Sequence, residues 1–284
     1  MELAIYVVDT FTEQQFKGNS AAVVPLTEWI ADELMQNIAI ENNLSETAFF
    51  KKVAPNRYEI RWFSPLTEID FCGHATLASS FILFNQFDVQ GDIDFVTLEV
   101  GTLSVQQLDN GRIQMRFPNQ LPDVVKDIPP ALLDGLSIKP LVVMKNRQAY
   151  FAVLASANDV LNVEYNAELL KLLAPYDLVV TSSCNVDDSD LSINEGNVSK
   201  SKDAGINPDF ISRYFWPASG GDEDPVTGSI HAGLAPYWST RLNKNRLTAY
   251  QASKRGGILY CEIENDRVLV SGSAVLYLQG KIFV

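Results

Sequence analysis

Two stretches of the chain carry residue types suited to holding an anion or moving a proton. Asp70-Phe71-Cys72-Gly73-His74 and Asp222-Glu223-Asp224-Pro225-Val226-Thr227-Gly228-Ser229 each place acidic residues before a glycine and a run of small residues. Glycine lets the backbone turn tightly and approach a ligand with no Cβ in the way. The first amides of a helix have no partner within it and lie at the positive end of its dipole. A carboxylate or enolate oxygen fits there. Taken singly, either glycine is equally read as the start of an ordinary helix. Glu46 precedes the apolar run Thr47-Ala48-Phe49-Phe50. A poorly hydrated carboxylate in that setting is suited to exchanging a proton, and the alternative is a surface acid at a strand end. His74 could donate to a substrate oxygen or simply begin a helix. His231, the second of two histidines, reads as a packed helix residue, and Arg61 and Arg213, each before Phe-x-Pro, read as structural.

The composition narrows the classes of function. The 284 residues carry 22 Lys and Arg against 35 Asp and Glu, a net charge of −13. Such an acidic chain repels phosphate backbones and anionic lipid, so neither nucleic acid nor a membrane surface is an expected partner. No apolar run approaches the roughly 18 residues of a membrane span; Ala75 to Phe84 is the nearest. The first residues, Met-Glu-Leu-Ala-Ile-Tyr-Val-Val-Asp, have an acid where a signal peptide carries a base, and they alternate as a strand does. A cytoplasmic protein is expected. Cys72, Cys184 and Cys261 are sparse and odd in number, which agrees with a reducing compartment. Cys72-x-His74 has no second pair at zinc-ligand spacing, so no metal is expected. Fingerprints for dinucleotides, P-loops, zincins and serine hydrolases are absent, and no cofactor is expected.

The elements that must position these residues alternate between strand and helix. Strands are predicted at 2–8 and 21–26 around the Lys17-Gly18-Asn19-Ser20 turn. A helix over 28–41 follows, with Ile30, Leu34 and Ile38 on one stripe, Thr27 as N-cap and Asn42-Asn43 as its end. Strands at 46–53 and 58–63 precede a helix over 73–85. Two further strands, 93–108 and 112–117, meet at Asp109-Asn110-Gly111. The prolines 118, 122, 129 and 130 mark a linker. Beyond it come strands within 140–154, a helix at 167–174, a strand at 177–183, a polar stretch at 185–209, a helix over 228–240 and strands to the end.

The two halves resemble each other. Arg61-Trp62-Phe63-Ser64-Pro65 matches Arg213-Tyr214-Phe215-Trp216-Pro217, Gly73-His74-Ala75 matches Gly228-Ser229-Ile230, and Gly101-x-Leu103 with Asn110-x-Arg112 matches Gly256-x-Ile258 with Asn265-x-Arg267. Three ordered matches at nearly constant offset indicate an internal duplication. Two domains, 1–117 and 118–284, are expected, with the last strand free to cross back to the first. Similar domains about a pseudo-twofold axis would bring both junctions to one cleft, a favoured place for a ligand.

Four motifs in order, Gly18-Asn19-Ser20-Ala21-Ala22-Val23-Val24, Asn43-Leu44-Ser45-Glu46-Thr47-Ala48-Phe49, Phe71-Cys72-Gly73-His74-Ala75-Thr76 and Glu223-Asp224-Pro225-Val226-Thr227-Gly228-Ser229, resemble those of the phenazine-biosynthesis isomerases, the PhzF-like family. The resemblance runs to about Gly257. It implies an α+β fold shared with diaminopimelate epimerases: two similar domains, each a β-barrel-like sheet around a central helix, with the active site between them. It implies a cofactor-independent isomerase in which Glu46 is the acid/base, His74 and Asp224 assist catalysis, and Asn19, Gly73, Gly228 and Ser229 bind a small anionic substrate. It also implies a homodimer. Diaminopimelate epimerases use two thiols; here Cys72 stands at the first position but Asp224 at the second. A two-thiol epimerase or racemase is therefore the weaker alternative. A binding or interaction protein that keeps the fold without turnover is the reading from outside enzymology. No residue names the substrate.

Overall fold

The computed structural model describes residues 1–184 and 207–284. Most of the polar stretch expected at 185–209 lies outside the described residues. The chain forms two compact units, Met1–Phe117 with Leu269–Val284, and Pro118–Val268.

In the first unit, strands β1 (Glu2–Thr10) and β2 (Asn19–Leu26) precede helix α1 (Asp32–Asn42), followed by β3 (Glu46–Ala54), β4 (Arg57–Phe63) and the two-residue β5 (Glu68–Ile69). Helix α2 (Gly73–Gln86) leads to β6 (Ile93–Val96), β7 (Thr102–Gln107) and β8 (Ile113–Pro118). β1 and β2 pair antiparallel, β2 and β3 parallel, β3 and β4 antiparallel, β4 and β6 parallel, β6 and β7 antiparallel. Gly18 makes the turn into β2 possible. It sits at φ +62°, and a Cβ there would lie 1.9 Å from the Thr10 carbonyl oxygen.

α2 is the helix at the heart of this unit, packed on β1, β2 and β3. Its residues from Gly73 to Ser80 are all buried, an all-round burial that explains why it reads as small and apolar rather than amphipathic. The hydroxyls it buries are satisfied internally: Thr76, Ser79 and Ser80 donate to the carbonyls of Cys72, Ala75 and Thr76. α1 instead lies against a cluster of Ile5, Val24, Phe49 and Phe63, burying Met35, Ile38 and Ala39.

Several boundaries differ from the sequence expectation. α1 begins at Asp32 rather than 28, and Ala31, not Thr27, precedes it. Trp29 is held outside the helix, its indole N–H donating to Glu59 at 2.8 Å and its ring under the Arg61 guanidinium. The helix ends as expected, with Asn43 left-handed at φ 48°. The strand expected over 93–108 is two strands, because Gly101 turns at φ +82° and Thr97 binds its carbonyl.

The second unit contains β9 (Asp123–Val124), α3 (Pro130–Asp134), β10 (Val142–Lys145), β11 (Ala149–Val153), α4 (Ala157–Asn162), α5 (Ala167–Leu170), β12 (Asp177–Ser183), β13 (Phe210–Phe215), β14 (Glu223–Asp224), α6 (His231–Leu242), β15 (Arg246–Gln251) and β16 (Gly257–Glu264). The expected linker is part of this unit. β9 pairs with β10, and the Gln120 amide donates to Ala232, bonds that a free linker would not make. The helix expected at 167–174 is α-helical only to Leu170 and tightens to 3-10 geometry over Lys171–Leu173. The unforeseen α4 has a capping box between Ser156 and Asp159 that is legible in the sequence.

The pairing scheme repeats that of the first unit. β10 and β11 are antiparallel, β11 and β12 parallel, β12 and β13 antiparallel, β13 and β15 parallel, β15 and β16 antiparallel. After β17 (Arg267–Gly272), β18 (Ala274–Phe283) pairs along β1, so the last residues belong to the first unit. Among the described residues no helix is long and apolar enough to cross a membrane.

Candidate active site

The start of β3 and the start of α2 bring three chemically active side chains together in the first unit. Glu46 begins β3, which pairs in parallel with β2 at Ala21. Cys72 precedes α2 in extended conformation, and His74 is its second residue. Glu46 Oε2 lies 2.8 Å from His74 Nε2, both side chains nearly buried. That oxygen is enclosed yet not aligned for a hydrogen bond with any protein group. His74 Nδ1 faces Asn19 Nδ2 at 3.3 Å and Cys72 Sγ at 3.4 Å. Asn19 is itself fully buried, and its carbonyl accepts from the Thr10 hydroxyl at 2.9 Å. The sequence motifs containing Asn19, Glu46, Gly73 and His74 thus converge.

Burial raises the Cys72 thiol to about 11, with the Glu46 carboxylate adding to the effect. At neutral pH this sulfur is a thiol, not a thiolate nucleophile. For His74, burial opposes the charged ring, but the Cys72 sulfur and the Glu46 carboxylate outweigh it and hold the imidazolium well above its usual range. With Cys72 neutral, the carboxylate is the partner that keeps the proton on His74. The pair is therefore a carboxylate beside an imidazolium, sheltered from water.

One ligand atom each from Glu46, Cys72 and His74 lies within 4.8 Å of the others, the one group of three metal-ligating side chains among the described residues.

Asp224, Gly228 and Ser229 lie in the second unit. Arg213 fixes the approach to them: it pairs with both oxygens of Glu223, at 2.7 and 3.1 Å, as Arg61 pairs with Glu68 in the first unit. Both arginines are structural in this sense. Asp224 follows on β14, accepts from the Thr227 hydroxyl, and its carbonyl accepts from Gln251 Nε2 at 2.9 Å. Gln251, fully buried, also takes the Thr227 amide on its oxygen at 2.9 Å. Sequence reasoning missed Gln251, since one glutamine at a strand end carries no motif.

The helix expected to open at Gly228 begins at His231 instead. Thr227 would be its N-cap, but the Thr227 carbonyl accepts from His231 Nδ1 at 2.9 Å. Gly228, Ser229 and Ile230 therefore form a turn whose carbonyls accept from His231, Ala232 and Gly233. Ser229 projects its hydroxyl to Gln148 Nε2 at 3.0 Å.

His231 is wholly buried, and burial outweighs the bond it donates to the Thr227 carbonyl and lowers it to about 4. A histidine kept neutral in the fold takes its proton only on unfolding. The stability it contributes is complete above pH 6.5 and is lost as pH falls toward 4, by roughly 3 kcal/mol. Urea unfolding of the parent and a His231→Gln variant across pH 7 to 4 checks this. The variant's stability should fall less steeply; parallel slopes would refute the assignment.

Comparison with known proteins gives a consistent picture. The family model described as phenazine biosynthesis-like protein matches residues 8–280. A protein of Halalkalibacterium halodurans described as an uncharacterized isomerase is 41% identical over the full length of both chains. The crystal structure of a phenazine biosynthesis protein of the PhzF family from Enterococcus faecalis superposes with a TM-score of 0.88, at 39% identity and full coverage of both chains. A hydroxyproline epimerase from Agrobacterium vitis shares the fold alone, with a TM-score of 0.58 and 8% identity over 99% of this chain and 92% of that one.

Proposed function

The chain belongs to the phenazine biosynthesis-like family, and from that premise we propose that it is a cofactor-independent isomerase that moves a proton within a small carboxylate-bearing substrate. The observation that carries this reading is the Glu46 Oε2 atom, buried, without a hydrogen bond, and 2.8 Å from His74 Nε2. An enclosed carboxylate oxygen with an unused lone pair can accept a proton from carbon. In the proposed reaction Glu46 removes a proton from one substrate carbon and returns it to another, so atoms balance with no external acid or base. His74, held as the imidazolium, offsets the negative charge that builds on the substrate before the proton returns. Asn19, whose amide nitrogen lies 3.3 Å from His74 Nδ1, is assigned to substrate binding on the family motif it occupies. Gly73, Gly228 and Ser229 are assigned to substrate binding and Asp224 to catalysis, on the family motifs they occupy.

The alternative of an amino-acid epimerase draws support from the shared fold of the hydroxyproline epimerase. Asp224 in place of a second thiol, and a Cys72 thiol raised to about 11, weigh against it. The test is incubation in deuterated water with cyclic amino acids and hydroxyanthranilate-like acids, followed by mass and NMR analysis. Glu46-dependent conversion to a positional isomer, with or without deuterium at the new carbon, supports the isomerase; deuterium only at the original carbon, with inversion, supports the epimerase; neither conversion nor deuterium on any acid overturns both. A cytoplasmic homodimer belongs to the same proposal, and sedimentation analysis tests its assembly.

A further inference from the structure

Asp177 occupies in the second unit the place that Glu46 holds in the first. Each is the first residue of its strand, and the next residue pairs with the phenylalanine of the repeated Arg-aromatic-Phe motif: Thr47 with Phe63, Leu178 with Phe215. Their surroundings are opposite. Where Glu46 Oε2 lacks a hydrogen bond, both Asp177 oxygens are occupied, Oδ2 by the Tyr214 hydroxyl at 2.7 Å and Oδ1 by the Ser219 hydroxyl at 2.9 Å. Gln148 Nε2 then donates to the Tyr214 oxygen at 3.1 Å and to the Ser229 oxygen at 3.0 Å. The Gln148 backbone is fixed as well, its amide on Asn146 Oδ1 at 2.8 Å and its carbonyl accepting from the Asp177 amide at 3.3 Å.

The chain of bonds has a direction set by proton counting. A carboxylate only accepts, so the single Tyr214 proton is committed to Asp177. The Gln148 group facing Tyr214 must then be the donor NH₂, and its second proton reaches Ser229. The Ser229 oxygen accepts, which leaves its own proton to donate elsewhere. We propose that Asp177, Tyr214 and Gln148 are positioning residues that commit the Ser229 proton to donating away from Gln148, so that Ser229 receives an acceptor oxygen of the substrate, a carboxylate or enolate. The proposal rests on the isomerase reading for its ligand but not for its geometry. Burial raises Asp177 while the Tyr214 and Ser219 bonds oppose that rise, and burial together with the Asp177 carboxylate keeps the Tyr214 phenol protonated.

Neutron diffraction from the perdeuterated, ligand-free protein tests the direction itself. The Tyr214 deuteron should lie toward Asp177, two deuterons should lie on the Gln148 nitrogen, and the Ser229 deuteron should point away from Gln148. A Ser229 deuteron aimed at Gln148 overturns the proposal whatever the protein catalyses. The second arm measures binding of 3-hydroxyanthranilate as a non-reacting carboxylate probe. Gln148→Glu replaces the donor by an acceptor and should weaken binding about 10- to 100-fold, while Gln148→Met, which frees the serine without reversing it, should cost less than about 5-fold. In a Ser229→Ala background Gln148→Glu should cost less than about 3-fold, because no hydroxyl remains to be turned. An equal loss in both backgrounds would show charge repulsion alone and overturn the relay. If the parent itself did not bind the probe, the isomerase reading would lose its substrate class, and the deuteron positions would still decide the relay.

Discussion

Replacing Glu46 by glutamine is expected to abolish proton exchange, with a loss of ~10²–10⁴-fold in deuterium incorporation and little change in folding. Glutamine nearly matches the volume of the glutamate at the start of β3, so the packing of Ala48 and Phe49 beyond it is kept. What disappears is the buried Oε2 atom that lacks a hydrogen bond and can receive a proton. The same change removes the charge that keeps His74 an imidazolium, so the variant should also lower the His74 titration followed by NMR. Cys72→Ser is the control. Its thiol is raised to about 11 and has no partner thiol at Asp224, so most activity should survive. Activity assays and thermal melts of both variants decide the matter. A Cys72→Ser variant that stays folded but is as inactive as Glu46→Gln would replace the one-base isomerase with a thiol-dependent epimerase.

A large effect on stability at neutral pH is expected at Arg213. Its guanidinium holds both Glu223 oxygens and also donates to the Val163 carbonyl at 2.8 Å, with only 13% of its side chain and 20% of that of Glu223 exposed. Arg213→Met leaves a shielded carboxylate and carbonyl without donors, at a cost of roughly 3 kcal/mol. The corresponding Arg61→Met change should cost roughly 1 kcal/mol, because Glu68 and Asp32 are more exposed and water replaces the lost donor. Urea unfolding of the two variants measures the contrast. Equal losses would mean that the repeated arginine contributes through its motif rather than through its burial.

The motif-bearing part of the candidate site was readable from residue order. Ser45-Glu46, Cys72-Gly73-His74 and Thr227-Gly228-Ser229 are short, local and chemically loaded, and Arg61 and Arg213 announced the repeat that the two pairing schemes share. The residues that went unseen depend on register. Asp177, Gln148 and Gln251 are single polar residues near strand ends, and a shift of one position along the sheet would turn each to the other face. The helix start at His231 was hidden for a related reason. A histidine ring, invisible to any propensity scale, takes the Thr227 carbonyl that a backbone amide would have claimed. Trp29 likewise kept α1 from beginning where its apolar stripe suggested, through one bond to Glu59.

The return of β18 to β1 has a consequence for the order of events at the ribosome. β1 is made first, yet its partner along Glu2–Thr10 is made last, after the whole of Pro118–Val268. Domains generally fold in the order in which they emerge, at about 5–20 residues per second. Here that order is inverted. The second unit has all of its own strands before the first can close, so nascent β1, complete at Thr10, waits with one edge bare until β18 begins at Ala274, for roughly 13 seconds at the faster rate. A chain released early, without β18, would carry that bare edge permanently, as a template for another chain.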